Sequence, residues 1–356
     1  MKSLGNFPDP FIAEISGQPD ALRRAALGLA DQASVFDDVA RAAGGRTLVF
    51  TGMGSSYDAC YPAVTELAQA GVAAVMLDAS ELLHFRTNML GPDTLLVAVS
   101  QSGESAEMVR VAEALPGGTG RPTVVAITNG PTNTLASLAD RSIDTRAGLE
   151  RGPSTMTFAG SLVVVAALGR VLAGAPVAAT LSGLATEAEE AAAALERLLR
   201  EQDLPDRLVS WLHGRETVVI LGRGAARAAA EMGALTIKEA VGMPVESLQT
   251  AQFRHGPLEL AGPELAAIVI ATEPETLTLD LSLAGELLGA GAGVVLVTID
   301  DAGLSGAMSV AIGLTDRALA PAVSILPSQL LAWRLAARQG RRPGAYYRAV
   351  KVTTRE

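Results

Sequence analysis

The sequence predicts an α/β protein: two doubly wound αβα domains with parallel sheets, related by internal duplication. Three observations predict it. Short apolar runs recur, each ending in a small polar turn, as do strands buried on both faces of a parallel sheet. Their spacing repeats: 48 positions separate Gly52 from Ser100 and 49 separate Gly222 from Ala271, and 29 separate Ser100 from Asn129 and Ala271 from Asp300. A strongly helical stretch, Leu184–Gln202, joins the halves.

The elements follow in order. Residues 1–45 read as a helical segment, with an irregular start marked by Pro8, Pro10 and Pro19 and a helical stripe at Leu22, Ala26 and Leu29. The first α/β domain spans 46–180. Its strand Arg46–Phe50 leads into the Gly- and Ser-rich turn Thr51–Tyr57, and Thr94–Val99 and Thr123–Ile127 are its other strands. A helical connector covers 181–213, interrupted at Pro205. The second α/β domain spans 214–340, with strands at Thr217–Leu221, Ala267–Ile270 and Val294–Val297. Residues 341–356 form a tail.

Composition narrows the function. Of 356 residues, 49% are apolar and 19% charged, enough for a large buried core. A net charge of -10 without a basic run argues against nucleic acid as a partner. The single cysteine, Cys60, excludes a disulfide framework and points to a reducing compartment, so a cytoplasmic location is expected. His84, His213 and His255 show no metal-ligand spacing, and no metal is expected. Met1–Asn6 has no apolar signal core. The uncharged stretch Gly152–Gly169 is marginal for a span of ~20 residues and reads as a buried core or interface helix rather than a membrane segment. Only Lys2, Lys238 and Lys351 are lysines among 28 basic residues. Arg cannot replace Lys where a free amine or compact ammonium is needed, although chance survival explains the same count.

The most informative segment is Ser100-Gln101-Ser102-Gly103-Glu104-Ser105, between the strand ending at Val99 and the helix-compatible Ala106–Arg110. Three hydroxyls, a carboxamide and free backbone N–H groups meet there at a helix N-terminus, which favours an anion. No Lys or Arg lies in the loop, so a phosphate would be held by hydrogen bonds and dipole. The competing reading is an ordinary Ser N-cap. The second half has Ala271-Thr272-Glu273-Pro274-Glu275-Thr276 in the corresponding place. Two carboxylates and a proline repel an anion and remove a donor, so only the first half is expected to bind phosphate. The Gly-x-Gly turns at Gly52 and Gly222 lack the full dinucleotide spacing, and no cofactor is expected.

These residues together resemble the sugar isomerase (SIS) family, over nearly the whole chain. Glu14-Ile15, Gln18-Pro19 and Ala21-Leu22-Arg23 resemble the helix that opens many stand-alone members. Gly54-Ser55-Ser56-Tyr57 matches the first turn, Ala79-Ser80-Glu81 a segment before the next strand, and Ser100–Ser105 the phosphate loop. Gly233–Glu239, Arg254–Leu258, Gln329–Ala332 and Lys351–Thr353 match blocks of the second half and the end. The resemblance is to tandem members, which include the isomerase half of glucosamine-6-phosphate synthase and stand-alone deaminases.

The resemblance implies roles. Ser55, Ser100, Gln101, Ser102 and Ser105 would hold the phosphate, with Gly54, Ser56 and Ser154 near the sugar. Glu239 would move a proton between C1 and C2. His255 would help to open the sugar ring, in the partner subunit's site. Lys351 would lie over the sugar; in the synthase its equivalent forms a Schiff base. General chemistry agrees: aldose–ketose interconversion needs a shielded carboxylate, ring opening a group titrating near neutrality, and amine attack a lysine. The structural alternatives are an exposed Lys238–Glu239 helical pair, a turn residue at His255 and a solvated tail at Lys351.

Departures narrow this. No N-terminal cysteine domain precedes the first strand, so glutamine is not expected as a nitrogen source within this chain. By the resemblance, Thr236 stands where the synthase has a further lysine, and Met156 where most relatives place one. The implied activity is isomerising deamination of glucosamine-6-phosphate to fructose-6-phosphate and ammonia, without a cofactor. The alternatives are a fructosamine-6-phosphate-type deglycase, isomerisation without nitrogen chemistry, and a non-catalytic phosphosugar-binding regulator. Residues 1–45 lack the basic charge for a DNA-binding domain, against the last. A homodimer with shared sites is expected, with the apolar segment after Phe158 as surface to bury.

Overall fold

The computed structural model describes residues 10–314 and 316–355. Lys2, the stretch Met1–Asn6 and the irregular start at Pro8 lie outside the described residues. The chain opens with helices α1 (Pro10–Ser16), α2 (Gln18–Ala30) and α3 (Ala33–Ala43). Then come β1 (Thr47–Gly52), α4 (Ser55–Asp58), α5 (Tyr61–Gln69), β2 (Ala74–Asp78), α6 (Ala79–Glu81), β3 (Thr94–Ser100), α7 (Ala106–Glu113), β4 (Thr123–Thr128), α8 (Thr134–Leu138) and β5 (Arg141–Asp144). Three helices follow: α9 (Met156–Leu172), α10 (Val177–Leu199) and α11 (Leu204–Leu212). The second series is β6 (Thr217–Gly222), α12 (Arg227–Val241), β7 (Glu246–Gln249), α13 (Thr250–Phe253), β8 (Leu265–Ala271), α14 (Leu277–Gly289), β9 (Gly293–Thr298), β10 (Met308–Ala311), α15 (Ala320–Ser324) and α16 (Leu326–Arg338).

The chain forms two compact units. The first comprises Asp20–Glu150, Thr155–Glu189 and the tail from Arg348. The second comprises the segment ending at Pro19, Arg151–Ser154 and Glu190–Tyr347.

In the first unit a parallel five-stranded sheet runs β2-β1-β3-β4-β5. In the second the order is β7-β6-β8-β9-β10, the same winding. Both sheets are therefore doubly wound, as the repeat in spacing predicts. Each reverses direction at one switch point, between β1 and β3 and between β6 and β8, where such sheets leave a crevice at the strands' carboxyl ends. Two glycines close the turns there. A Cβ on Gly52 would lie 2.9 Å from Tyr57 N and 3.0 Å from Val99 O; one on Gly222 would lie 2.8 Å from Ala226 O. Only glycine lets the helix return so close to its strand.

The helix α9 forms much of the first unit's core. Fifteen of its 17 residues are buried, including Phe158 through Gly169. Its small residues bring it against neighbours: a Cβ on Gly169 would lie 2.9 Å from Ala63 Cβ, and one on Gly160 2.8 Å from Ala147 Cβ. The segment after Phe158 is thus used inside its own unit and leaves no surface for a dimer, contrary to the sequence expectation. Pro205 sits in the first turn of α11, where a missing N–H costs nothing, so it starts a helix after α10 has ended. Among the described residues no helix is long and apolar enough to cross a membrane.

The helix α1 and the first residue of α2 are fixed by buried polar contacts in the second unit. Gln18 and Gln329, both fully buried, exchange amide hydrogen bonds of 2.8 and 3.0 Å. Glu14 accepts from Arg151 N at 2.6 Å and Gly152 N at 3.0 Å, and Tyr346 donates to Gly152 O at 3.1 Å.

Candidate active site

The Ser100–Ser105 turn lies at the first unit's switch point. Ser100, at the end of the fully buried β3, accepts from Gly103 N at 3.2 Å, and its hydroxyl stands 3.5 Å from that of Ser105. Ser102 Oγ accepts from Glu104 N at 3.1 Å. Gln101 N donates across the switch point to Ser56 Oγ at 3.3 Å. Gly103 has φ +66, and a Cβ there would strike Asn133, so the turn admits no other residue without rearrangement. The turn is braced from outside by Glu104, whose carboxylate accepts from Thr134 N at 2.8 Å and Thr134 Oγ1 at 2.7 Å. These hydrogen bonds hold the Glu104 carboxyl below its ordinary value.

Ser105 occupies the N-cap position of α7 but makes no side-chain cap bond. The turn therefore differs from an ordinary Ser N-cap. Gly54 (φ +52) and Ser55 begin the short α4 on the other side of the same switch point, and Ser56 is buried. The structure thus brings Gly54, Ser55, Ser56, Ser100, Gln101, Ser102 and Ser105 to one switch point.

The tail joins this unit. Thr353 O accepts from Ala106 N, at the start of α7, at 3.0 Å. Lys351 Nζ donates to Glu150 Oε2 at 2.8 Å. Glu150 was given no role by the sequence reading. Its side chain is fully buried at the start of α9. Oε1 accepts from Thr155 N (2.7 Å), Thr155 Oγ1 (2.9 Å) and Thr157 N (3.1 Å), and Oε2 from Thr157 Oγ1 (2.5 Å). A helix N-terminus favours such a carboxylate. The signal that could have found it is an acidic residue just ahead of two threonines and a long apolar helix.

Other candidates lie in the second unit. Glu239 is half-buried on α12, and Lys238 beside it is exposed. Thr236 is fully buried with its hydroxyl donated to Met232 O at 2.9 Å. His255 is exposed, in a turn after α13 that continues through Gly256 at φ +119. Ser154 is buried. Met156 opens α9 in the first unit and is 9% exposed. Among the described residues no three His, Cys, Asp or Glu side chains are grouped to hold a metal ion.

The second switch point carries its own anion. Glu273 is buried, accepts from Ala226 N at 3.1 Å, and pairs with Arg317 Nε at 2.7 Å. A Cβ on Gly224 would lie 3.0 Å from Glu273 Cδ. Behind it, Arg223 pairs with fully buried Asp280 at 2.7 Å. Burial pushes both carboxyls above their ordinary values, against the pull of the arginines. The carboxylate of Glu273 thus fills the turn that its first-unit counterpart leaves lined with hydroxyls.

Two duplicated, doubly wound units, one with a hydroxyl-lined turn at its switch point and the other with a carboxylate there, define a tandem α/β protein. The chain belongs to the SIS domain family, whose profile matches residues 43–170 and 212–337. Over its whole length it is 28% identical to the glutamine–fructose-6-phosphate aminotransferase (isomerizing) of Pyrobaculum aerophilum and 29% identical to that of Pyrococcus horikoshii. It spans 59% of the length of each. Among solved structures, the C-terminal domain of glucosamine-fructose-6-phosphate aminotransferase from Francisella tularensis superposes with a TM-score of 0.82 at 24% identity, covering 95% of this chain and 98% of that one. A glucosamine-6-phosphate deaminase from Thermotoga maritima gives 0.69 at 18% identity, covering 96% and 99%. Tagatose-6-phosphate ketose/aldose isomerase from Escherichia coli gives 0.78 at 18%, covering 96% and 95%. At these identities the structural matches speak for the fold.

Proposed function

We propose that this chain is a phosphosugar isomerase acting on amino sugar phosphates, and that it converts glucosamine-6-phosphate to fructose-6-phosphate and ammonia. The observation that carries this is the Ser100–Ser105 turn facing Ser56 across a switch point, in the same unit that holds Lys351. Support comes also from relatives named for aminotransfer at fructose-6-phosphate and from a neighbour named as a glucosamine-6-phosphate deaminase.

In this reading Ser55, Ser100, Gln101, Ser102 and Ser105 bind the phosphate, and Gly54, Ser56 and Ser154 border the sugar. His255 assists ring opening. Glu239 takes the C2 proton of the open aldose and returns it to C1, leaving an imine at C2. Water hydrolyses that imine to the ketose and ammonia. Lys351 faces the reacting end.

The test incubates purified protein with glucosamine-6-phosphate, with fructose-6-phosphate plus ammonium, and with a fructosamine-6-phosphate, following ammonia and ketose phosphate. Ammonia and fructose-6-phosphate from the first are expected. Turnover of the third alone would replace the deaminase by a deglycase, and silence on all with phosphosugar binding intact would replace it by a regulator. Glu239→Gln is expected to abolish exchange of the substrate C2 proton with solvent while binding persists; retained exchange removes Glu239 as the base.

A further inference from the structure

We propose that Glu150 is the positioning residue for Lys351: its buried carboxylate, fixed by the first turn of α9, sets where the tail amine sits. The inference rests on the reading of Lys351 as a group of the reacting end, and it adds the residue through which that group is held.

The tail from Arg348 to Arg355 contains neither helix nor strand. Such a segment has no ladder of backbone bonds to fix it, and a lysine side chain adds its own rotamer freedom. The place of Nζ must therefore come from tertiary anchors. Ala106 N holds the backbone at Thr353 O, and Glu150 Oε2 holds Nζ itself at 2.8 Å.

Glu150 is a rigid support. Both of its oxygens accept hydrogen bonds from Thr155 or Thr157, and the helix they begin is buried along 15 of its 17 residues. A group held this way keeps one rotamer, which a site needs from its supporting residues. Capping α9 does not by itself explain the arrangement. Thr155, at the N-cap, could cap with its own hydroxyl. Instead it makes no cap bond and donates that hydroxyl to Glu150. A buried carboxylate that also carries an ammonium from 201 positions away in sequence links the tail to the core of the unit.

The test uses Glu150→Gln in the full chain. Lys238 is exposed and serves as an internal reference for amine acetylation. Losing a hydrogen bond to a charged group is expected to raise Lys351 labelling relative to Lys238 by about tenfold. With glucosamine-6-phosphate as substrate, kcat should fall by about tenfold or more while KM stays within about twofold. Adding Glu150→Gln to Lys351→Met should change kcat no further, because the residue acts through the amine. Unchanged labelling in the folded variant, or a full further loss in the double variant, overturns the proposal. Thr157→Val is the milder variant should Glu150→Gln not fold. It removes only the hydroxyl that shares Oε2 with Lys351; increased labelling supports the proposal and unchanged labelling overturns it. Labelling needs no substrate, so the two readings fail separately. Silence on all three substrates with labelling raised ends the deaminase reading alone. Turnover with labelling and double variant unmoved ends the positioning role alone.

Discussion

Glu104 is the acidic residue of the Ser100–Ser105 turn, yet its charge faces away from the turn's hydroxyls and toward Thr134. Its carboxyl is held below its ordinary value of 4.5 by those hydrogen bonds. A depressed carboxyl contributes stability that is present above the unfolded value and lost as pH falls through the folded one. Glu104→Gln is therefore expected to destabilise the protein by at most about 1 kcal/mol near pH 7, since the site is exposed. The deficit should shrink in strongly acid solution, once wild-type Glu104 has become protonated below its ordinary value. Urea denaturation of both proteins at neutral and at strongly acid pH checks this, and an equal gap at both refutes it. Glu273 and Asp280 run the other way. Burial raises both, so each gives up stability as pH rises from its ordinary value to its folded one. Residues of this kind differ in how far the sequence reveals them. The strand-to-helix turn Ser100–Ser105 was legible because its local chemistry marks a turn. Glu273 was legible as a carboxylate at the second turn, but its partners Ala226 and Arg317 were not, and neither was the pairing of Glu150 with Lys351, because those partners lie far along the chain.

The same division separates the elements. β1, β3, β4, β6, β8 and β9 are the central strands of the two sheets, and their near-continuous apolar runs announce them. The strands β2, β5, β7 and β10 were not read from sequence. They sit beside only one neighbour, are four or five residues long and are largely half-exposed, so neither length nor periodicity marks them. The switch points repay comparison. Ser102 and Glu273 both stand two residues beyond the central strand's end. One offers a hydroxyl, and the other accepts from Ala226 N in place of a ligand. If that single difference decides which turn takes an anion, then Ser102→Glu should close the first cradle. Loss of a charge-assisted site and addition of a like charge together should weaken phosphosugar binding by about a hundredfold or more. Calorimetric titration with fructose-6-phosphate reads this directly. Unchanged affinity in a folded Ser102→Glu protein would mean that the phosphate lies elsewhere.

At the scale of the whole molecule, duplication followed by divergence explains why the chain has two identical windings but, among the described residues, different side chains at their switch points. The first unit carries the Ser100–Ser105 turn and the tail lysine, and the second carries Glu239 and His255. The expected use of His255 across a dimer cannot draw on the apolar run after Phe158, which is buried in its own unit. An exposed His255 remains available to a second copy of the chain. The consequence is a complementation experiment. Glu239→Gln and His255→Asn are each expected to be nearly inactive as pure proteins. If each site combines Glu239 of one chain with His255 of its partner, a mixed dimer contains one site with both residues intact and one with neither. Equal co-expression makes half of the dimers mixed, so about one quarter of wild-type activity should return. Mixed dimers isolated with two different tags should carry about half the wild-type rate per dimer. Isolated mixed dimers without recovered activity would place His255 in the site of its own chain, and a fully active monomer in sedimentation at micromolar concentration would remove the shared site altogether.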